Sequence, residues 1–260
     1  MCMSRTPLVV GNWKMELSHK AAVALTKTLV RSLATQDLPE VVICPSFPSL
    51  AAVAEEVKGS RLLLGAQDVA SEEKGALTGQ VSVTQISSFV TWCIVGHSET
   101  RAAMHVSDEA VAQKADLLLK HGITPIVCIG ETLEEKESDE TVRKIQRQID
   151  SLLAVLPRVS LLKTVVTYEP IWAISANGPG FLPQPDDVSE IILLIRKMVA
   201  GRFDGQVAER LRILYGGSVK PENVKSYVGG PYADGVLVGG ASVHGGQFVE
   251  IAKLVGSQIY

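Results

Sequence analysis

The sequence predicts an α/β protein built as a single (β/α)8 barrel, and three observations support this fold class. Eight short apolar segments alternate with amphipathic segments of helical spacing, at about one pair per 30 residues. The length of 260 residues matches the usual size of such a barrel, about 250 residues. Neither a composition shift nor a low-complexity tract divides the chain, so we expect one domain over residues 1–260.

The predicted strands are apolar and rich in β-branched residues, as strands of a buried parallel sheet are. They cover residues 8–10, 41–44, 62–64, 92–95, 124–129, 164–168, 211–215 and 235–238. Predicted helices lie between them at 18–34, 49–58, 107–121, 141–156, 187–201, 221–228 and 246–255. A doubly wound open sheet is the competing fold. It would place a G-x-G-x-x-G turn after the first strand, where this chain has only Gly11.

Composition limits the possible partners and locations. Apolar residues make up 46% and charged residues 20%, and the net charge of -3 argues against nucleic acid or an anionic membrane. The four cysteines have neither metal-ligand spacing nor disulfide density, which favours a cytoplasmic protein. Residues 1–7 do not resemble a signal peptide, and no apolar window of about 18 residues predicts a membrane span.

In a barrel, chemistry occurs at the carboxyl ends of the strands. The last two strands end in glycine pairs, Gly216-Gly217 followed by Ser218, and Gly239-Gly240. Glycine allows close approach of an anion, and loops seven and eight of barrels often bind phosphate. The alternative is that both pairs are only tight turns.

Three ionisable side chains follow other strands. Lys14 follows the first strand, where it can neutralise an anion, although most lysines are surface charges. His97 precedes a predicted helix start, which disfavours protonation, so we expect a neutral hydrogen-bond donor. Glu169 ends the sixth strand and is followed by Pro170 and a soft loop, as a base beneath a lid would be. A surface strand with a disordered connection is the alternative for this last segment.

A base, an electrophile and a positive charge suffice to move a proton between carbons next to a carbonyl. We find no nucleophile elbow, metal cluster or dinucleotide turn in the sequence. The residues therefore predict proton transfer in a sugar phosphate.

Seven segments resemble the triosephosphate isomerase family, in family order over nearly the whole chain. They begin at Gly11-Asn12-Trp13-Lys14, Ala76-Leu77-Thr78-Gly79, Gly96-His97-Ser98-Glu99, Cys128-Ile129-Gly130-Glu131, Tyr168-Glu169-Pro170-Ile171-Trp172, Tyr215-Gly216-Gly217-Ser218 and Leu237-Val238-Gly239-Gly240. The resemblance implies isomerisation of dihydroxyacetone phosphate and glyceraldehyde 3-phosphate, without cofactor or metal.

The resemblance also implies residue roles. Glu169 is expected to be the base, His97 the electrophile, and Asn12 and Lys14 the groups that stabilise the enediolate. Residues expected to bind phosphate or close the pocket around it are Ser175, Ser218, Gly239, Gly240 and Leu237. Glu99 and Cys128 are expected to lie behind the reacting groups. The loop from Lys74 to Gln80 is expected to form the contact between the two subunits of a homodimer.

The chain departs from the family pattern at three places. The family lid usually reads Gly-Thr-Gly-Lys, whereas residues 175–178 read Ser-Ala-Asn-Gly, and the connection to Pro185 is longer. The acid and the arginine that pair between subunits are replaced by Gln80 and Thr100. Asp68 replaces a usual asparagine, with no consequence evident from the sequence.

Three functions are compatible with these observations. The leading one is an active isomerase. The second is a phosphate-binding homologue whose catalysis is altered or weakened by the changed lid, and the third is a different isomerase or lyase acting on a phosphorylated sugar. The retained Asn12, Lys14, His97 and Glu169 favour an enzyme, because a binding module does not need the base.

Overall fold

The chain folds into a closed barrel of eight parallel strands. The structure is a computed structural model that describes residues 5–34, 38–174 and 181–258. The strands are β1 (Leu8–Asn12), β2 (Glu40–Cys44), β3 (Leu62–Ala66), β4 (Trp92–Val95), β5 (Thr124–Ile129), β6 (Val165–Tyr168), β7 (Arg212–Tyr215) and β8 (Gly235–Val238). Each pairs with its neighbours in sequence, and β8 pairs with β1 to close the ring. All eight predicted strands are confirmed, and the open-sheet alternative is excluded.

Helices follow the strands and cover the outside of the barrel. In the described part of the chain they are α1 (His19–Ser32), α2 (Phe47–Val57), α3 (Val83–Ile86), α4 (Ser98–Met104), α5 (Asp108–Lys120), α6 (Leu133–Glu137), α7 (Thr141–Val155), α8 (Arg158–Leu161), α9 (Pro185–Arg202), α10 (Gly205–Arg210) and α11 (Gly245–Gly256). None of these helices is both long and apolar enough to cross a membrane.

The helix predicted at 221–228 is wrong. Only Val224–Ser226 forms a short 3₁₀ helix there. The Asn223 amide donates to Ser218 O at 2.9 Å and accepts the Lys220 N–H at 2.8 Å, which holds a turn before a helix can start. Val228 then bridges Ala233 instead of continuing a helix.

The strands separate two apolar layers. Leu8 and Val10 point into the barrel, where Val42, Ile94, Val165 and Leu214 fill the interior. Val9 points outward into the layer between strands and helices. Side chains alternate along a strand, so Asn12 continues the inward-facing row of Leu8 and Val10 to the carboxyl end of the barrel. Burial of the whole β6 strand also excludes the surface-strand alternative for that segment.

Candidate active site

Most of the predicted site residues meet in one pocket of about 390 Å³ at the carboxyl ends of the strands. Its lining includes Asn12, Lys14, His97, Glu99, Glu169, Ser218, Leu237, Gly239 and Gly240. These residues follow or end five different strands, so closure of the barrel is what brings them together. Cys128 lies outside this pocket and lines a neighbouring cavity. Ser175 lies outside the described residues.

Glu169 is held by the end of the sheet. Its backbone N–H donates to Ile129 O at 2.7 Å, which extends the β5–β6 pairing by one residue. The side chain is buried, with Oε1 at 3.0 Å from His97 Nε2 and Oε2 at 3.4 Å from the Ser98 N–H that donates to it. The carboxylate therefore sits inside the barrel mouth, directly beside the imidazole.

A glycine makes this placement of Glu169 possible. A Cβ on Gly130, at the end of β5, would lie 1.9 Å from Glu169 O. No side chain fits in that space, because contacts below about 3 Å require the backbone to move. The close approach of the two strand ends thus depends on the absence of a side chain at Gly130.

His97 is oriented at both of its ring nitrogens. It is the N-cap residue of α4, and its Nδ1 accepts the Glu99 N–H at 3.3 Å. A ring that accepts at Nδ1 carries its proton on Nε2, where it can donate to Glu169. This arrangement is that of a neutral imidazole.

The charge environment of His97 differs from the expectation. Burial lowers its pKa, but the charge and hydrogen bond of Glu169, together with the charge of Glu99, outweigh burial and raise the pKa above its usual 6.5. The net shift of the His97 pKa is therefore upward, opposite in direction to the expected lowering. The rise depends on Glu169 facing the ring, so it diminishes when that carboxylate turns toward another group.

Lys14 occupies a strained turn that several groups hold in place. Its φ is 48°, which a non-glycine residue rarely adopts. Asn12 Oδ1 accepts the Lys14 N–H at 3.1 Å, and the Gln67 amide donates to Lys14 O at 2.8 Å and to Cys44 O at 2.9 Å. The Lys14 ammonium lies 2.6 Å from Glu99 Oε1, and Glu99 itself also lines the pocket.

The opposite side of the pocket is built from backbone and small side chains. The Ser218 hydroxyl donates to Ala173 O at 2.7 Å, which ties the turn after β7 to the segment that follows Glu169. Gly240 starts a 3₁₀ helix, Gly240–Val243, and a Cβ on Gly239 would lie 3.6 Å from Lys14 Cε. Leu237 is buried at the end of β8 and adds apolar surface. These turns and Lys14 line the same pocket.

Glu131 fastens the segment after Glu169. It is buried and accepts hydrogen bonds from the Trp172 indole at 2.8 Å and the Tyr168 hydroxyl at 3.2 Å. Its carbonyl accepts the Ile171 N–H at 3.0 Å. Burial raises the pKa of Glu131 in spite of these donors. The 3₁₀ helix at Ile171–Ala173 is therefore fixed to the end of β5.

The sequence alone did not assign roles to several supporting residues. Gln67 directly follows the third strand, and this position at a strand end could have indicated a role near the site. Asp68 pairs with the buried Lys114, whose Nζ lies 2.8 and 2.9 Å from the two carboxylate oxygens, and 46 residues separate the two. Cys128, by contrast, was expected behind the reacting groups; it is a buried thiol whose pKa burial raises well above its usual value, so it remains protonated.

Comparison with known proteins identifies relatives over nearly the whole chain. The family model described as triosephosphate isomerase matches residues 7–255. A triosephosphate isomerase of Corynebacterium diphtheriae is 43% identical over 255 residues, covering 96% of this chain and 97% of its own. Those of Endomicrobium trichonymphae and Clostridium perfringens are 42% and 41% identical, and the alignments cover 96% of this chain and 98% and 99% of theirs.

Proposed function

The chain belongs to the triosephosphate isomerase family and is an isomerase, and we propose that it interconverts dihydroxyacetone phosphate and D-glyceraldehyde 3-phosphate through an enediolate. The observation that carries this proposal is the 3.0 Å contact between Glu169 and His97 in a pocket that also contains Lys14. This contact supports a base and an electrophile that reach adjacent atoms of one small substrate.

The proposed reaction moves one proton between neighbouring carbons. Glu169 takes the proton from the first carbon, and the electron pair of that C–H bond forms the enediolate as the carbonyl oxygen becomes negative. His97 donates its Nε2 proton to that oxygen, while Lys14 and Asn12 stabilise the developing charge. Glu169 then returns the proton to the second carbon, and His97 recovers its proton from the other oxygen.

Binding of the substrate phosphate is assigned to the far side of the pocket. We propose that Ser218, Gly239 and Gly240 donate hydrogen bonds to it, with Ser175 of the lid as a fourth donor. Leu237 keeps the surroundings of Glu169 apolar. Glycine at two of these positions supports the assignment, because it lets the backbone N–H groups approach an anion closely.

The changed lid, from Ser175 to Pro185, is proposed to close over the phosphate and exclude water. An exposed enediolate loses phosphate and forms methylglyoxal, so the yield of methylglyoxal per turnover measures how well the lid seals. A low yield supports an active isomerase with an unusual lid. A high yield with slow turnover supports the alternative, a phosphate-binding homologue with weakened catalysis.

The experiment that tests the function is a coupled isomerase assay on wild type, Glu169→Gln and Glu169→Asp. We expect wild type to turn over and Glu169→Gln to lose at least about 100-fold in kcat, the lower range for general-base catalysis. Glu190→Gln, on the exposed face of α9, is the matched control and retains full activity. Absence of wild-type turnover rejects the function, and equal turnover by Glu169→Gln rejects Glu169 as base.

We also propose that the protein is a cytoplasmic homodimer joined through the loop from Lys74 to Gln80. This loop is exposed, and its Leu77 is 46% accessible to solvent. Met15, directly after the Lys14 turn, is 92% accessible. Exposed apolar side chains of this size support burial by a partner, and the uncharged Gln80 and Thr100 leave no ion pair to complete.

A further inference from the structure

Arg101 joins three elements beside the pocket, and the family-based roles above do not include it. Its Nε donates to Gly96 O at 2.7 Å, and its Nη2 donates to Cys128 O at 3.3 Å. Its Nη1 lies 2.7 Å from Asp108 Oδ1, at the start of α5. The side chain is 15% exposed. One guanidinium thus connects the carboxyl ends of β4 and β5 to a helix.

The Gly96 contact bears directly on His97. Gly96 has a φ of 71°, and a Cβ there would lie 2.8 Å from Val111 and 3.0 Å from the Arg101 guanidinium. The turn between β4 and α4 is therefore packed from both sides. Because Arg101 holds the Gly96 carbonyl, it fixes the peptide plane that leads into His97, and with it the position of the imidazole.

A cavity of about 570 Å³ lies behind this contact. Arg101, Asp108 and Arg147 line it, and so do Ser98 and Glu169, which border the active-site side. Removal of the Arg101 guanidinium would leave the carbonyls of Gly96 and Cys128 without this donor and enlarge the cavity. The other cations that line this cavity in the described part of the chain already have partners: Arg147 lies 3.2 Å from Asp108 and Lys144 lies 2.8 Å from Glu135.

We propose that Arg101 is a positioning residue that holds His97 at hydrogen-bond distance from Glu169 by clamping the ends of β4 and β5. The inference rests on the proposed function, since it concerns the electrophile and base of that reaction. Arg101 itself does not touch the pocket of about 390 Å³. Its effect is therefore on geometry and on kcat, not on substrate binding.

The kinetic test compares Arg101→Lys and Arg101→Ala with Arg147→Ala. Misplacement of a reacting group by about 1 Å costs about 100-fold in rate, so we expect kcat of Arg101→Ala to fall by that order with KM nearly unchanged. Arg101→Lys keeps the charge beside Asp108 but cannot reach both carbonyls, and we expect kcat to fall by about 10-fold or more. Arg147 lines the same cavity and contacts the same aspartate as Arg101, but it donates to neither carbonyl. We therefore expect Arg147→Ala to leave kcat and KM unchanged.

Chemical rescue separates positioning from a general loss of stability. The cavity volume of about 570 Å³ exceeds that of a guanidinium ion, so guanidinium at concentrations below those that unfold the protein should restore part of the kcat of Arg101→Ala. Urea has a similar shape but no charge, and no restoration is expected with it. Failure of guanidinium to restore kcat in a folded Arg101→Ala variant, judged by circular dichroism, contradicts the inference.

A readout independent of turnover distinguishes this inference from the proposed function. In protein with ¹⁵N-labelled histidine, the His97 ring signals, assigned with His97→Gln, should shift in Arg101→Lys and stay in place in Arg147→Ala. Unchanged His97 signals in Arg101→Lys overturn the inference, even if wild type is an active isomerase. An inactive wild type with shifted signals rejects the function and leaves the clamp supported.

Discussion

At the scale of single residues, the charge state of His97 depends on Glu169. The Glu169 carboxylate raises the pKa of His97, so Glu169→Gln should lower it, and an NMR titration of the ring measures the change. The pKa of His97 in the unfolded chain is about 6.5, and below that pH the pair contributes its full stabilisation to the folded state. This stabilisation is lost as the pH rises through the higher pKa that His97 has in the folded state. A His97 pKa that does not change in Glu169→Gln contradicts this coupling.

The buried pair of Asp68 and Lys114 gives a prediction about stability. Lys114 is 5% exposed, so Asp68→Ala leaves a buried ammonium without its partner. We expect the free energy of unfolding to fall by about 3 kcal/mol, measured by urea denaturation, since Asp68 is partly solvated. Asp116→Ala removes the exposed pair with Lys120 on the same helix and should lower the free energy of unfolding much less. Equal costs for the two variants would show that the Asp68–Lys114 pair does not stabilise the fold.

At the scale of elements, the junction of β5 and β6 positions Glu169, the proposed base. Gly130→Ala puts a methyl group into the Glu169 carbonyl, so the strand ends must separate. We expect kcat/KM to fall by about 100-fold, the effect of moving a reacting group by about 1 Å. The matched control is Gly201→Ala in α9, where an added Cβ meets no atom within 4 Å and should stabilise the helix by about 0.5–1 kcal/mol. A fully active Gly130→Ala would contradict the account of this junction.

The strands could be predicted because a buried parallel strand is apolar on both faces, which leaves a continuous pattern in the sequence. Short helices such as α6 and α10 bury too few residues to leave such a pattern. The prediction of a helix at 221–228 was wrong because apolar residues at helical spacing also occur in a turn that packs against the barrel. The hydrogen bonds of the Asn223 side chain stabilise a turn there, and the spacing of apolar residues in the sequence does not reveal such bonds.

At the scale of the whole molecule, the meeting of the candidate site residues in one pocket could be predicted because barrel closure places every strand end in one ring. Their supports could not, because the pairs are distant in sequence: Lys14 and Glu99 are 85 residues apart, and Arg101 and Cys128 are 27 apart. Nothing in the local sequence at Asp68 indicates Lys114 as its partner. The lid contact of Ser175 remains a prediction, as does the cytoplasmic location.

The proposed dimer gives a prediction at the same scale. Light scattering of wild type should report about twice the chain mass of 27.9 kDa. Leu77→Asp places a charge on the apolar tip of the joining loop and should shift the protein toward monomer, because a charge buried without a partner is costly. Glu73→Gln, in the neighbouring exposed turn, is the control for a change of charge nearby. A monomeric wild type in dilute solution rejects the dimer.

The central claim is that Glu169 carries a proton between two carbons of the substrate, and isomerisation in D₂O tests it most directly. A carboxylate that holds the abstracted proton can exchange it with solvent, so wild type should introduce deuterium at carbon in the triose phosphate product, detected by ¹H NMR. Glu169→Gln should introduce none on the same timescale, and Glu190→Gln should match wild type. Isomerisation without deuterium incorporation, or incorporation by Glu169→Gln equal to that of wild type, would contradict the account.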